Sequence, residues 1–147
     1  MDINKYVNKA VEHCLSRTPW HVADDLGYFI HFTDMGKETL GYHHVKGSSK
    51  IICLNNNLTS EKQEFVLAHE LGHAMMHSHI KISRFTRDSL YSTAKMEREA
   101  NIFAALLLFG HRDNFTIEEL AGEYQIETCV IKDLLGGRMG QLCFWEY

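Results

Sequence analysis

The segment His69-Glu70-Leu71-Gly72-His73 has the spacing H-E-x-x-H. Residues four apart lie on one face of a helix, so His69 and His73 can bind the same ion. Glu70 stands next to them, where it can reach a water molecule on that ion. Zinc hydrolases with two histidine ligands and a glutamate base use this spacing. Two hydrogen-bonded core histidines and a solvated glutamate would also fit, so the surrounding sequence has to decide.

The residues around this segment predict the helix that it needs. Ser60 and Gln63 match a capping box, and Glu61 and Glu64 favour the positive end of a helix. No proline follows before His77. Apolar residues occupy more than one face, so we expect the helix to be largely buried. Because buried histidines need partners, this context favours the metal interpretation.

A catalytic zinc ion usually takes three protein ligands, so a third must be found. His77 lies one further step of four residues, or about 6 Å, along the helix, and helical drift turns it away. His79 falls in a predicted loop. Glu97 lies on the packing face of a second predicted helix, where acidic side chains are rarely unpaired. We prefer Glu97, with Asn101 one turn on to hold a ligating histidine, and we expect Glu99 to face solvent.

Two stretches of the chain resemble motifs of the ImmA/IrrE family of metallopeptidases, found in phages, mobile elements and radiation-resistant bacteria. The first is Phe65-Val-Leu-Ala-His-Glu-Leu-Gly-His. The second is Glu97-Arg-Glu-Ala-Asn-Ile-Phe-Ala-Ala-Leu-Leu-Leu, which looks like the family's E-x-x-A-N-x-F-A-x-x-L-L stretch. The resemblance covers about residues 20–135. At 107–110 the chain reads Leu-Leu-Phe-Gly where the family usually has Leu-Leu-Met-Pro, so we expect a different exit from this helix.

The resemblance implies a compact α+β, zincin-like fold, in which a small antiparallel sheet packs on the H-E-x-x-H helix and on a second ligand-bearing helix, with a helical C-terminal part. It implies that His69, His73 and Glu97 bind zinc and that Glu70 is the general base for a zinc-activated water. The implied activity is site-specific cleavage of a helix-turn-helix repressor of a phage or mobile element. The alternative is a zinc-stabilised regulator that binds a repressor without hydrolysis, although the intact Glu70 argues against it.

An extended peptide needs a strand to pair with, and the tetrahedral oxyanion needs a donor beside the metal. We expect strand 39–46 or strand 50–55 to pair with the substrate by β-addition. The candidate oxyanion donors are Tyr91, His79, Arg98 and His111, and the sequence does not choose among them.

Hydrophobic periodicity and turn residues predict the remaining elements. The predicted helices span residues 3–16, 20–26, 92–109, 116–124 and 130–135. The predicted strands, 28–33, 39–46 and 50–55, form an antiparallel meander, residues 77–87 form a surface loop, and residues 140–147 form a terminal strand or packed tail. His43 and His44 face opposite sides of their strand, so we expect an exposed pair and not two ligands of one ion.

Composition limits the class of protein further. The 147 residues fit one domain, 1–147, with an ordinary 45% of hydrophobic residues. A net charge of −4 without a basic stripe argues against direct nucleic-acid binding. None of the four cysteines forms a C-x-x-C pair, the start lacks a signal-peptide pattern, and no apolar run is long enough to span a membrane. We therefore expect a cytoplasmic protein, and the sequence does not predict its oligomeric state.

Overall fold

The computed structural model describes residues 1–92 and 94–136. In these ranges the elements are α1 (Ile3–Val11), α2 (Pro19–Asp25), β1 (Phe29–Thr33), β2 (Thr39–Lys46), β3 (Ser49–Asn55), α3 (Ser60–Met76), β4 (Ile82–Thr86), α4 (Lys95–Phe109), α5 (Ile117–Tyr124) and α6 (Thr128–Gly136). A 3₁₀ turn, Arg87–Tyr91, lies between β4 and α4. The α+β class is confirmed, and the predicted segment 140–147 lies outside the described residues.

The four strands form one mixed sheet in the order β1-β3-β2-β4. β1 runs parallel to β3, whereas β2 is antiparallel to both β3 and β4. The predicted antiparallel meander is therefore wrong. The buried Asn55, at the end of β3, donates hydrogen bonds to the carbonyls of Gly36 and Thr39 and accepts one from the amide of Met35. These bonds hold the β1–β2 connection across the end of β3, so β2 pairs on the far side of β3 and not with β1.

β4 lies in the segment 77–87, which the sequence predicted to be a surface loop. Ile82 and Arg84 are exposed, whereas Phe85 is buried and Ser83 is partly buried. This period-two alternation is typical of a strand, but a polar residue at the inward position of Ser83 obscures it. β2 and β3 are interior strands, because each of them pairs with a neighbour on both sides. The prediction that one of those two pairs with the substrate is wrong.

α3 packs against β2, β3 and β4 on one side and against α4 on the other. Its N-cap is Thr59, whose hydroxyl accepts a hydrogen bond from the amide of Lys62. The predicted capping box of Ser60 and Gln63 is therefore wrong, because the side chain of Gln63 donates to the carbonyl of Asn55 instead. The predicted burial of the helix is confirmed, since every residue from Phe65 to His73 is buried.

α4 ends at Phe109, whose ring packs against those of Phe65 and Tyr124. The chain has Phe109-Gly110 here, where the family usually has Met-Pro. Phe109 lies twelve residues, or about 18 Å, along the helix from Glu97. The altered exit is therefore remote from the predicted ligand. No helix in the described ranges is long and apolar enough to cross a membrane.

Gly72 allows α3 and α4 to approach closely between the two motif histidines. A Cβ atom at Gly72 would lie 3.1 Å from the Cβ of Phe103, which is fully buried. We expect Gly72→Val to lower the free energy of unfolding by about 2 kcal/mol or more, because a branched side chain must displace Phe103. Gly122→Ala is the control, since an added Cβ there meets nothing within 4 Å, and it should raise stability by up to about 1 kcal/mol. Urea denaturation measures both, and unchanged stability of Gly72→Val would contradict the close approach.

Lys62 is a buried cation of α3 whose Nζ donates to the carbonyl of Gln125 at 3.0 Å. Burial, helped by the nearby Arg87, lowers the pKa of Lys62 from 10.5 to about 8. Between those values the unfolded chain binds more protons than the folded one, so this group makes stability rise with pH in that window. We expect Lys62→Met to flatten the rise in the free energy of unfolding from pH 8 to pH 10.5. Equal slopes for wild type and variant would contradict the lowered pKa.

Candidate metal centre

α3 and α4 bring the three predicted ligands together. His69 and His73 are 0% exposed, and their ring centroids lie 4.8 Å apart. Glu97, in the first turn of α4, has Oε1 2.8 Å from Nε2 of His73 and Oε2 3.3 Å from Nε2 of His69. The ligand atoms of all three residues lie within 4.8 Å of one another. One ion can therefore contact all three.

Three buried polar atoms of this cluster make no hydrogen bond among the described residues: His69 Nε2, Glu97 Oε2 and Glu70 Oε1. The 3.3 Å approach of the first two lacks the geometry of a hydrogen bond. Each buried unsatisfied atom costs about 1–3 kcal/mol, so three together indicate a missing partner. Two imidazole nitrogens and a carboxylate are a donor set typical of catalytic zinc. The residues present therefore fit a divalent metal ion.

The charge of Glu97 also suits a cation. Burial would raise the pKa of this carboxyl, but the hydrogen bond with His73 and the charge interactions with His69 and His73 outweigh burial and lower it. Glu97 is consequently ionised at neutral pH and offers a carboxylate to the centre.

His69 is oriented from behind by α4. Its Nδ1 lies 2.8 Å from Oδ1 of Asn101, and the amide nitrogen of Asn101 donates to the carbonyl of Ser89 at 2.9 Å. The ring of Phe85 contacts the His69 ring edge-on, with centroids 4.1 Å apart. The contact of Asn101 with a motif histidine, which the sequence predicted, is confirmed. It directs the hydrogen of His69 to Nδ1 and leaves Nε2 for a ligand.

His73 has a different partner. Its Nδ1 lies 3.0 Å from Nδ1 of His77, whose Nε2 lies 3.2 Å from Oε1 of Glu99. The prediction that Glu99 faces solvent is wrong, since its side chain is only 12% exposed. The periodicity of α4 shows which of its residues share a face. It does not show that His77, at the C-terminal end of α3, reaches Glu99. Burial lowers the pKa of His77, although the hydrogen bond to Glu99 opposes this effect.

Glu70 is held at one oxygen by the sheet. Its Oε2 accepts hydrogen bonds from Nδ1 of His43 at 2.5 Å and from Oγ of Ser83 at 2.9 Å. The other ring nitrogen of His43 lies 3.2 Å from the carbonyl of Ile80. Both interactions use Oε2, so Oε1 remains the free oxygen of a fully buried carboxylate.

The sequence did not identify His43 as part of the site. His44 is exposed, as expected, but His43 is 1% exposed. The alternation of side chains along β2 could have identified His43 as buried, because it places His43 on the same face of the strand as Gly41 and Val45. Burial opposes a charge on His43, but Glu70, the Ile80 carbonyl and Glu97 together raise its pKa.

The two partners of His43 define its charge. A carboxylate and a carbonyl are both acceptors, so both ring nitrogens of His43 must carry hydrogen when both bonds form. The imidazolium of His43 and the carboxylate of Glu70 then make a buried ion pair. Such a pair places a positive charge next to Oε2 of Glu70 in the protein interior.

The four candidate oxyanion donors lie in different places. Arg98 pairs with Asp133, and Tyr91 interacts with Glu127, which raises the pKa of Tyr91 to about 12. His111 follows the far end of α4. The exposed His79 lies near His77, with ring centroids 6.5 Å apart.

Comparison with known proteins agrees with this arrangement. The family model Peptidase_M78, the IrrE N-terminal-like domain, matches residues 23–134. The chain is 27% identical to the uncharacterized immunity region protein 2 of Bacillus phage phi105, over 81% of this chain and 80% of that protein. It is 24% identical to the metallopeptidase ImmA of Bacillus subtilis strain 168, over 87% of this chain and 85% of that protein. The matched segment contains α3, α4 and the whole cluster. The chain therefore belongs to the M78 family of ImmA/IrrE-type metallopeptidases.

Proposed function

We propose that this protein is a zinc-dependent endopeptidase that cleaves a helix-turn-helix repressor of a phage or mobile element at a defined site. The observation that carries the proposal is three buried atoms that have no hydrogen-bond partner in the described part of the chain: His69 Nε2, Glu97 Oε2 and Glu70 Oε1. Two of them belong to the proposed metal ligands His69 and Glu97, with His73 as the third ligand. The remaining one belongs to the proposed base.

Zinc bound by these residues would polarise the scissile carbonyl and lower the pKa of the attacking water towards about 7. Glu70 accepts the proton of that water at Oε1, because Oε2 is already occupied by His43 and Ser83. It then returns the proton to the amine of the leaving peptide. His43 and Ser83 together hold Oε2 and fix the rotamer of Glu70.

The substrate is an extended peptide segment, and β4 is its place of binding. Among the described residues β4 is an edge strand, so its outer backbone groups are available there for β-addition. Ser83 connects this strand to the proposed general base, because its hydroxyl donates a hydrogen bond to Glu70. A peptide paired with β4 would therefore lie beside Glu70. β1, the other edge of the described sheet, makes no comparable contact with the motif helix.

The nature of the relatives supports a regulatory substrate. One is called a metallopeptidase, and the other is an immunity region protein of a phage. A peptidase of phage immunity acts on proteins that control phage genes, and a helix-turn-helix repressor is the regulator that the family resemblance implies. Such a repressor acts on DNA inside the cell, so the proposal includes a cytoplasmic location.

The test is co-expression with the repressor encoded nearest to the gene, followed by mass spectrometry of that repressor. Wild type and Glu70→Gln are run side by side. We expect one defined cut with wild type and an intact repressor with the variant. No cut with either, while zinc is bound and the repressor co-purifies, would replace the proposal by the non-hydrolytic alternative.

A further inference from the structure

A chain of hydrogen bonds lies behind His73 and takes no part in the reaction proposed above. It runs from Nδ1 of His73 to Nδ1 of His77 at 3.0 Å, and from Nε2 of His77 to Oε1 of Glu99 at 3.2 Å. His73 is fully buried and His77 is 3% exposed. Two imidazoles and a carboxylate are thus placed in series, away from Nε2 of His73.

The chemistry of the three groups assigns every proton in this series. Nε2 of His73 needs a free lone pair to bind a metal ion, so its hydrogen is on Nδ1. Nδ1 of His77 must then accept that hydrogen, which places the hydrogen of His77 on Nε2. Glu99 can only accept, and Nε2 of His77 donates to it. One tautomer of each ring satisfies both contacts of the series and leaves the lone pair of His73 Nε2, which lies 2.8 Å from Oε1 of Glu97, for a metal ion.

From this we propose that His77 and Glu99 are positioning residues, which fix the ring and the tautomer of His73 and thereby raise the metal affinity of the site. The inference rests on the proposed function, because it takes His73 to be a ligand. A carboxylate at the end of the series makes the imidazole nitrogen that faces the metal a better donor. His69 has a neutral partner instead, the amide of Asn101.

The same contacts exclude His77 as a ligand in this arrangement. Its Nδ1 faces the rear nitrogen of His73, and its Nε2 faces Glu99, so both nitrogens are occupied. His77 would have to leave Glu99 and swing round His73 to reach the centre. The regular α3 backbone, which continues to Met76, opposes that movement.

The test is the zinc affinity of the purified full chain, measured by competition with a chromophoric chelator. We expect His77→Ala and Glu99→Gln to weaken zinc binding by about 10- to 100-fold. His77→Gln should restore most of the affinity, because its amide oxygen can accept from His73 and its amide nitrogen can donate to Glu99. His44→Ala is the control, since it removes an exposed histidine that takes no part in the cluster, and it should leave the affinity unchanged.

Two further measurements separate positioning from simple loss of structure. The melting temperature of metal-free Glu99→Gln should stay near that of wild type, and the visible spectrum of the Co²⁺-loaded variant should shift as the His73 ring reorients. A wild type that binds zinc and keeps its affinity in both His77→Ala and Glu99→Gln would overturn this proposal alone. A wild type that binds no zinc would overturn the proposed function and this proposal with it.

Discussion

Glu70→Gln is expected to lower peptide cleavage by about 10³-fold or more while the protein stays folded and binds zinc. General base catalysis contributes about 10² to 10⁴ in rate, and Glu70 is the proposed base. The amide has the same shape as the carboxylate. Because His43 and Ser83 both donate to Oε2, the amide oxygen will occupy that place. The NH₂ group then takes the position of Oε1, where it cannot accept a proton.

The measurement is the rate of appearance of the cleaved repressor, together with the zinc content of each protein. Glu61→Gln is the matched control, since Glu61 lies in the first turn of the same helix and away from the cluster. We expect it to cleave at the wild-type rate. Turnover by Glu70→Gln within a few-fold of wild type would remove Glu70 from the role of base.

The buried ion pair of His43 and Glu70 gives this prediction a second consequence. Glu70 is among the groups that raise the pKa of His43 against the effect of burial. When Gln replaces Glu70, burial dominates and that pKa falls. The His43 ring then carries only one hydrogen. Its contact with the carbonyl of Ile80 or its contact with the new glutamine at residue 70 therefore weakens. Hydrogen exchange at the end of α3, next to Ile80, should therefore be faster in Glu70→Gln than in wild type.

The sequence predicted the features that depend on local spacing. The separation of four residues between His69 and His73 fixes their common face, and the next long helix supplies Glu97 and Asn101. These residues lie together because helical periodicity determines which side chains share a face. No contact between distant elements was needed to infer them, apart from the packing of one helix on the other.

The features that the sequence missed depend on pairing between distant segments. His43 reaches Glu70 because β2 is an interior strand, and that position follows from the bonds of Asn55 to the β1–β2 connection. Ser83 reaches the same carboxylate because β4 pairs with β2. Strand order and register follow from such long-range contacts, which hydrophobic alternation does not encode. His43 and Ser83 are polar residues at inward-facing positions, so the alternation of apolar and polar residues is weaker in β2 and in β4.

The residues that the sequence predicted and the residues that it missed surround the same cluster. The helices supply the three proposed ligands and contact two of them from behind, through Asn101 and through His77. The sheet supports the proposed general base through His43 and Ser83. A substitution in the sheet should therefore impair the base more than the metal site, whereas a substitution behind the ligands should impair metal affinity first.

Glu97→Ala is expected to reduce the bound zinc from about one equivalent to less than about a tenth after gel filtration. The variant removes one of the three proposed protein ligands, a carboxylate that contacts both motif histidines. It also removes the negative charge that balances a divalent cation in a buried site. Metal content by mass spectrometry measures the loss, and Glu118→Ala, an exposed acidic residue of α5, is the control.

Glu97→Gln separates the two contributions of this residue. Its shape is kept but its charge is lost, so we expect a zinc affinity between those of wild type and Glu97→Ala. Undiminished zinc in Glu97→Ala would require another third ligand. His77 is a poor substitute because both of its nitrogens are occupied, so such a result would point to the exposed His79. The double variant with His79→Ala would then lose the metal, whereas the single His79→Ala variant retains it if Glu97 is the ligand.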